Sequence, residues 1–148
     1  MTDEIKDTTT TEAEAPKTDA PVATPRKKKS KRPVATGQVH ILATFNNTII
    51  TFTDMSGNVL TTASAGACGF RGSKKGTAYA AQVATERAGQ AVKQQHGMSK
   101  VDVYVKGIGL GRDAAVRSLQ GLDIRADVIY DVTGVPHGGV RPRKARRV

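Results

Sequence analysis

Apolar and polar residues alternate from Val39 to Phe45, with Ile41, Ala43 and Phe45 on one face, which predicts a first strand. Asn46-Asn47 is a turn signal, and Thr48 to Asp54 (TIITFTD) reads as a second, β-rich strand. Met55-Ser56-Gly57-Asn58 closes a hairpin onto a third strand, Val59 to Ala63. The first half is therefore an antiparallel meander. Ala65 to Gly76 follows as a loop holding Gly66, Gly69, Gly72 and Gly76. The period then lengthens. Ala80, Val83, Ala84, Ala88, Ala91 and Val92 recur at helical spacing, one face of a long helix. Gly97 ends it, with Lys93 and His96 near the C-terminal dipole, and Gly89 is a mild flaw inside it. Val101 to Val105 is a fourth strand, and Gly107 to Arg112 a second glycine loop. Asp113 to Gln120 is a short helix and Ile124 to Val132 a last strand. The order βββαβαβ predicts an α/β fold, a five-stranded mixed sheet with right-handed crossovers in its second half.

The pattern stops at both ends. Met1 to Pro25 is rich in Thr, Ala, Pro and Glu, has almost no large apolar residues, and reads as disordered. Arg26, Lys27, Lys28, Lys29, Lys31 and Arg32 form a dense basic run closed by Pro33, an arm for nucleic acid or a solvated linker. After Val132, Pro136 and Pro142 block ladder hydrogen bonds, and Gly134, Gly138 and Gly139 loosen the backbone. Arg141, Arg143, Lys144, Arg146 and Arg147 then place five cations in the last eight residues. Such a tail cannot order itself by burial; it stays solvated or orders against a polyanion. The organisation expected is an extension over residues 1–36, a globular domain over 37–134 and a basic tail over 135–148.

Charge sharpens this division. Residues 26–148 hold 21 Lys and Arg against seven acids, a net of +14, so the domain is more basic than the whole chain at +10. That charge points to nucleic acid or an acidic membrane. No apolar run approaches the ~20 residues of a spanning helix, and no Trp- or Phe-bearing amphipathic helix is visible, which disfavours the membrane. The lone Cys68 permits no internal disulfide and fits a reducing compartment. The N-terminus reads neither as a secretory signal nor, being acidic, as a transit peptide.

Candidate chemistry is sparse. Arg71, Lys74 and Lys75 stand in the first glycine loop ahead of a helix, where backbone N–H groups and cations suit phosphate oxygens, or a solvated loop. No glycine is followed directly by Lys-Ser or Lys-Thr, so no Walker sequence is present. Gly107-x-Gly-x-Gly-Arg112 lies between strand and helix but lacks G-x-G-x-x-G spacing, so tight packing is the plain reading and a nucleotide enzyme the alternative. Arg112 and Arg117 are candidate phosphate contacts. Asp54, Asp102 and Asp131 lie near strand ends, and a nuclease would need them to converge on a divalent ion; turn and solvent-facing roles compete. His40, His96 and His137 are not at metal spacing. His40 reads as a strand residue, whereas His137, in Pro-His-Gly-Gly, suits stacking on RNA. Aromatic content of 4% with no Trp makes single-strand stacking platforms scarce and favours recognition of backbone and shape.

Phe45-Asn-Asn-Thr-Ile, Gly69-Phe-Arg-Gly-Ser-Lys-Lys, Ala80-Ala-Gln-Val-Ala, Val105-Lys-Gly, Gly111-Arg and the tail carry a resemblance. From about Gly37 to Val148 the chain resembles the universal eleventh-protein family of the small ribosomal subunit, in its bacterial form. The resemblance implies a ribonuclease-H-like sheet and binding to small-subunit rRNA in the platform, beside the messenger exit region and the rRNA 3′ end. It also implies neighbouring platform proteins as partners, a cytoplasmic location, no enzymatic activity, no cofactor and no metal. The RNA-binding set it implies is the two basic ends with Asn46, Asn47, Thr48, Arg71, Gly72, Ser73, Lys74, Lys75, Arg112, Arg117 and His137. The chain departs from the family where Ile108 and Leu110 replace prolines, and at Gly134-Val135, Gly138, Val140 and Arg143. The acidic residues 1–25 lie beyond the usual family start.

Overall fold

In a computed structural model, which describes residues 33–145, the meander forms from Thr36–Ala43 (β1), Thr48–Thr53 (β2) and Val59–Ser64 (β3). The helices are Ala78–His96 (α1) and Gly111–Gly121 (α2), and the later strands Lys100–Lys106 (β4) and Arg125–Asp131 (β5). A 3₁₀ turn, Gly72–Gly76, precedes α1. The five strands form one sheet in the order β3-β2-β1-β4-β5. β1, β2 and β3 pair antiparallel, while β4 runs parallel to both β1 and β5. Both helices cover the same sheet face and pack on each other, α1 over β2 and β3, α2 over β1 and β5. The other face carries no helix.

Alternation fixes the two faces. Val39, Ile41 and Ala43 on β1, Ile50 and Phe52 on β2, and Val101, Val103 and Val105 on β4 point under the helices and are buried. Ala80, Ala84, Ala88 and Val92 of α1 and Ala115 and Leu119 of α2 close the core from above. Burial of each larger side chain, Phe52, Ile41, Ile50 or Leu119, contributes on the order of 1.5–3 kcal/mol.

Three expectations change. Phe45 is not on the core face: β1 ends at Ala43 and Phe45 is 72% exposed. The chain leaves the ladder at Thr44, whose N–H and hydroxyl both donate to the Asn47 carbonyl, at 2.9 and 3.0 Å. The buried stripe of α1 is also wider than the predicted face, because sheet and α2 flank it. Ala81, Thr85 and Gly89 are buried, whereas Val83 and Ala91 are half-buried. Gly89 is accordingly a packing residue and not a flaw, since a Cβ there would run into the Leu122 side chain. Val34, ahead of β1, packs on the core and its N–H donates to the His96 carbonyl at 2.8 Å.

The helix ends follow from local chemistry. Thr77 caps α1 by accepting from the Ala80 N–H at 3.3 Å, and Gly97 closes it in the left-handed conformation, φ 67°. Among the described residues no helix is long and apolar enough to cross a membrane.

Candidate nucleic-acid interface

One end of the sheet gathers most of the motifs. β1, β4 and β5 finish there, β2 begins there, and both helices start there. The Thr44–Asn47 turn sits between the two glycine loops, and three glycines make that contact possible. A Cβ on Gly76 would overlap the Phe45 carbonyl, one on Gly107 the Ala43 carbonyl, and one on Gly109 the Thr44 carbonyl. Gly109 N–H donates to Ala43 O at 3.0 Å, tying the second loop to the end of β1. Gly111, at the start of α2, lies against Thr48 and Ala81 with no room for a side chain. Close backbone approach, which only glycine permits, welds the two loops and the turn into one rim.

Four cations are engaged within the fold. Lys93 pairs with Asp123 at 3.2 Å, Arg112 with Asp131 at 2.7 Å and Arg125 with Asp127 at 3.2 Å. Arg87 donates to the Ala67 carbonyl at 2.6 Å. By contrast, Arg71 and Lys74 are exposed, Lys75 is half-buried, and none of the three forms an ion pair among the described residues. The same holds for Arg141, Arg143 and Lys144 in the tail, which has no regular structure and is exposed throughout residues 134–145. Gly72, Ser73, Asn46 and His137 are exposed and Asn47 is half-buried. Arg117 is exposed on α2, about 9 Å along the axis from its first residue, and lines the groove against Gln82 and Glu86 of α1. Arg26, Lys27, Lys28, Lys29, Lys31, Arg32, Arg146 and Arg147 lie outside the described residues.

Two candidates are taken up by the fold, Thr48 by burial and Arg112 by contacts with its own chain. Thr48 is fully buried with its hydroxyl against Gly111, so its side chain offers nothing to a ligand and instead spaces β2 from α2. Arg112 is a clamp. Its guanidinium donates to the Gly107 carbonyl at 2.6 Å and to Asp131 at 2.7 Å, which closes the second glycine loop onto the end of β5. Thr133 completes this clamp: its hydroxyl donates to Asp131 at 2.6 Å and accepts from the Gly107 N–H at 3.1 Å. Thr133 has no signal in the sequence, because its role exists only once β4 and β5 are neighbours.

The Thr133 hydroxyl, and then the Arg112 guanidinium, hold the Asp131 carboxyl well below the usual carboxylate range. A depressed folded-state pKa adds stability that is complete above the unfolded value of about 3.9 and is lost as pH falls through the folded value. The melting temperature of Asp131→Asn should therefore lie below the parent's at neutral pH, and the gap should narrow on acidification towards pH ~2. A gap that stays constant over that titration would contradict the clamp.

The remaining carboxylates do not assemble. Asp54 holds the β2–β3 turn, accepting from Ser56 N–H at 2.8 Å and from Asn58 N–H and side-chain amide at 2.9 Å each. Asp131 lies at the opposite end of the sheet, and Asp102 sits inside β4. The nuclease arrangement thus fails on geometry.

On the helix-free face, His40 of β1, Tyr104 of β4 and Tyr130 of β5 stand in register and stack. Their ring centroids are 5.1 and 5.0 Å apart, with interplanar angles of 17° and 21°. Composition alone hid this row, because three strands distant in sequence each supply one ring.

Two comparisons with known proteins bear on this geometry. Residues 37–147 match the family described as Ribosomal protein S11. The small ribosomal subunit protein uS11 of Teredinibacter turnerae (strain ATCC 39867 / T7901) is 55% identical over 128 residues, 86% of this chain and 98% of that protein. A small basic α/β domain with an uncompensated rim and this kinship is a ribosomal protein, a structural and non-enzymatic constituent of the small subunit. The chain belongs to the ribosomal protein S11 family.

Proposed function

We propose that the rim and the two basic ends bind small-subunit rRNA in the platform, beside the messenger exit region and the rRNA 3′ end. The observation that carries this reading is the split between paired and unpaired cations. Lys93, Arg112, Arg125 and Arg87 satisfy carboxylates or carbonyls, whereas Arg71, Lys74 and Lys75 on the rim and Arg141, Arg143 and Lys144 in the tail, like Lys100, Lys106 and Arg117 on the body, have no ion pair among the described residues. Phosphate oxygens are the natural complement, and the glycine loop lets backbone N–H groups approach them as well. Asn46, Asn47, Gly72, Ser73 and His137 line the same route, and Arg117 offers an outlying contact from α2. The basic run 26–32 and Arg146 and Arg147 extend the route on their sequence alone. Strand order and directions support the ribonuclease-H-like description of the sheet. Neighbouring platform proteins would abut the protein in the assembled subunit, in the cytoplasm.

Counterion release sets the test. Affinity for a platform rRNA fragment should fall steeply across a salt series, with a log–log slope of roughly one per phosphate contact. A flat plot would remove the polyphosphate account.

A further inference from the structure

The aromatic row on the helix-free face ends at an edge. His40 abuts Thr51, its partner on β2, and Tyr104 lies between the other two rings. Tyr130 is stacked on one side only, because β5 is the last strand of the sheet. Its second ring face therefore looks off the edge, and the side chain is 44% exposed. Two residues away on either side, Val128 and Val132 are 42% and 47% exposed and give that ring apolar shoulders. The register places Tyr104 opposite Tyr130, and Lys106, two residues further along β4 and exposed, stands one step nearer the rim. Lys106 adjoins Gly107, so the row is continuous with the glycine-loop rim. Cations also prevail on this face of β4, where Lys100 and Lys106 flank the single Asp102.

We propose that the outer face of Tyr130 is a stacking platform for one unpaired nucleobase of an RNA strand, with Lys106 contacting an adjacent phosphate. The inference rests on the RNA reading above and adds a base-contacting site to it. Stacking suits this position because the two inner rings already hold Tyr130 upright, so little order is lost when a base arrives. A π-face accepts any base, so the site would grip single-stranded RNA without reading its sequence. A partner protein strand is the competing occupant of such an edge, but continuity with a basic rim and the excess of cations favour the nucleotide.

The test uses the full-length protein and two short single-stranded RNAs with the same number of phosphates. One is an oligoadenylate; the other carries abasic residues in place of the bases. Binding at low salt is followed by anisotropy and by tyrosine fluorescence, which no tryptophan obscures. The parent should bind the oligoadenylate about five- to a hundredfold more tightly than the abasic strand, with quenched tyrosine emission. Tyr130→Phe should keep that preference, and Tyr130→Thr, a strand-compatible change at an exposed position, should erase it. A parent that binds both strands equally, or a Thr variant that keeps the preference, would overturn the platform and leave the rRNA reading intact. Failure of the parent to bind either strand would also overturn the platform, whereas the rRNA reading stands or falls on the salt series with a platform rRNA fragment. A Thr variant that matches the parent on both RNAs but is poorly retained on small subunits would assign the edge to a protein partner and overturn the proposal.

Discussion

Replacing Gly107 with alanine will destabilise the fold by about 3 kcal/mol or more, a large share of the ~5–15 kcal/mol that holds a small domain together. Two effects add at this position. Gly107 has φ 103°, where an L side chain is strained, and a Cβ would overlap the Ala43 carbonyl at the end of β1. Neither neighbour can yield cheaply, because Ala43 is fully buried and Gly107 is itself held by the Arg112 guanidinium and the Thr133 hydroxyl. Urea unfolding should show a lower midpoint at an unchanged slope. Gly134→Ala is the control: open space surrounds that position and its stability should stay within about 0.5 kcal/mol of the parent. A Gly107→Ala protein that unfolds at the parent's midpoint would mean that the rim is looser than the contacts imply.

Neutralising the tail should have the largest effect on binding. Replacing Arg141, Arg143, Lys144, Arg146 and Arg147 with Gln removes five cations and no core residue. The melting temperature should hold, because β5 already completes the sheet at Asp131. The salt slope for a platform rRNA fragment should become shallower by up to about five, roughly one per lost phosphate contact. Truncation after Val140 should do nearly the same, which separates charge from chain length. If both variants enter small subunits as well as the parent in a competition assay, the tail is a passive terminus.

The elements were legible because their periods were clean. Alternation placed Val39, Ile41 and Ala43 under the helices, and helical spacing placed Ala80, Ala84, Ala88 and Val92 over them. Gly97 marked the end of α1 because a left-handed cap has few other solutions. Long-range pairing was not legible. Phe45 continued the alternation in sequence but fell beyond the Thr44–Asn47 clasp. Arg112 looked like a free cation until β5 brought Asp131 beside it. Thr48 carried the right family motif yet lies inside, against a glycine that leaves it no exit. The lack of an ion pair at Arg71, Lys74 and Lys75 among the described residues was legible, since their loop, Ala65 to Gly76, carries no carboxylate of its own. What the sequence hid was that the two glycine loops meet around the Thr44–Asn47 turn, because sheet order alone makes them neighbours.

Ultraviolet crosslinking of assembled small subunits, followed by identification of the crosslinked peptides of this protein, tests the central claim most directly. Crosslinks to rRNA should fall in the loop around Arg71, Lys74 and Lys75 and in the tail from Arg141 onward, while the β2–β3 turn around Asp54, at the opposite end of the sheet, stays clear. Crosslinks concentrated in that turn, with the rim and tail unmarked, would contradict the account.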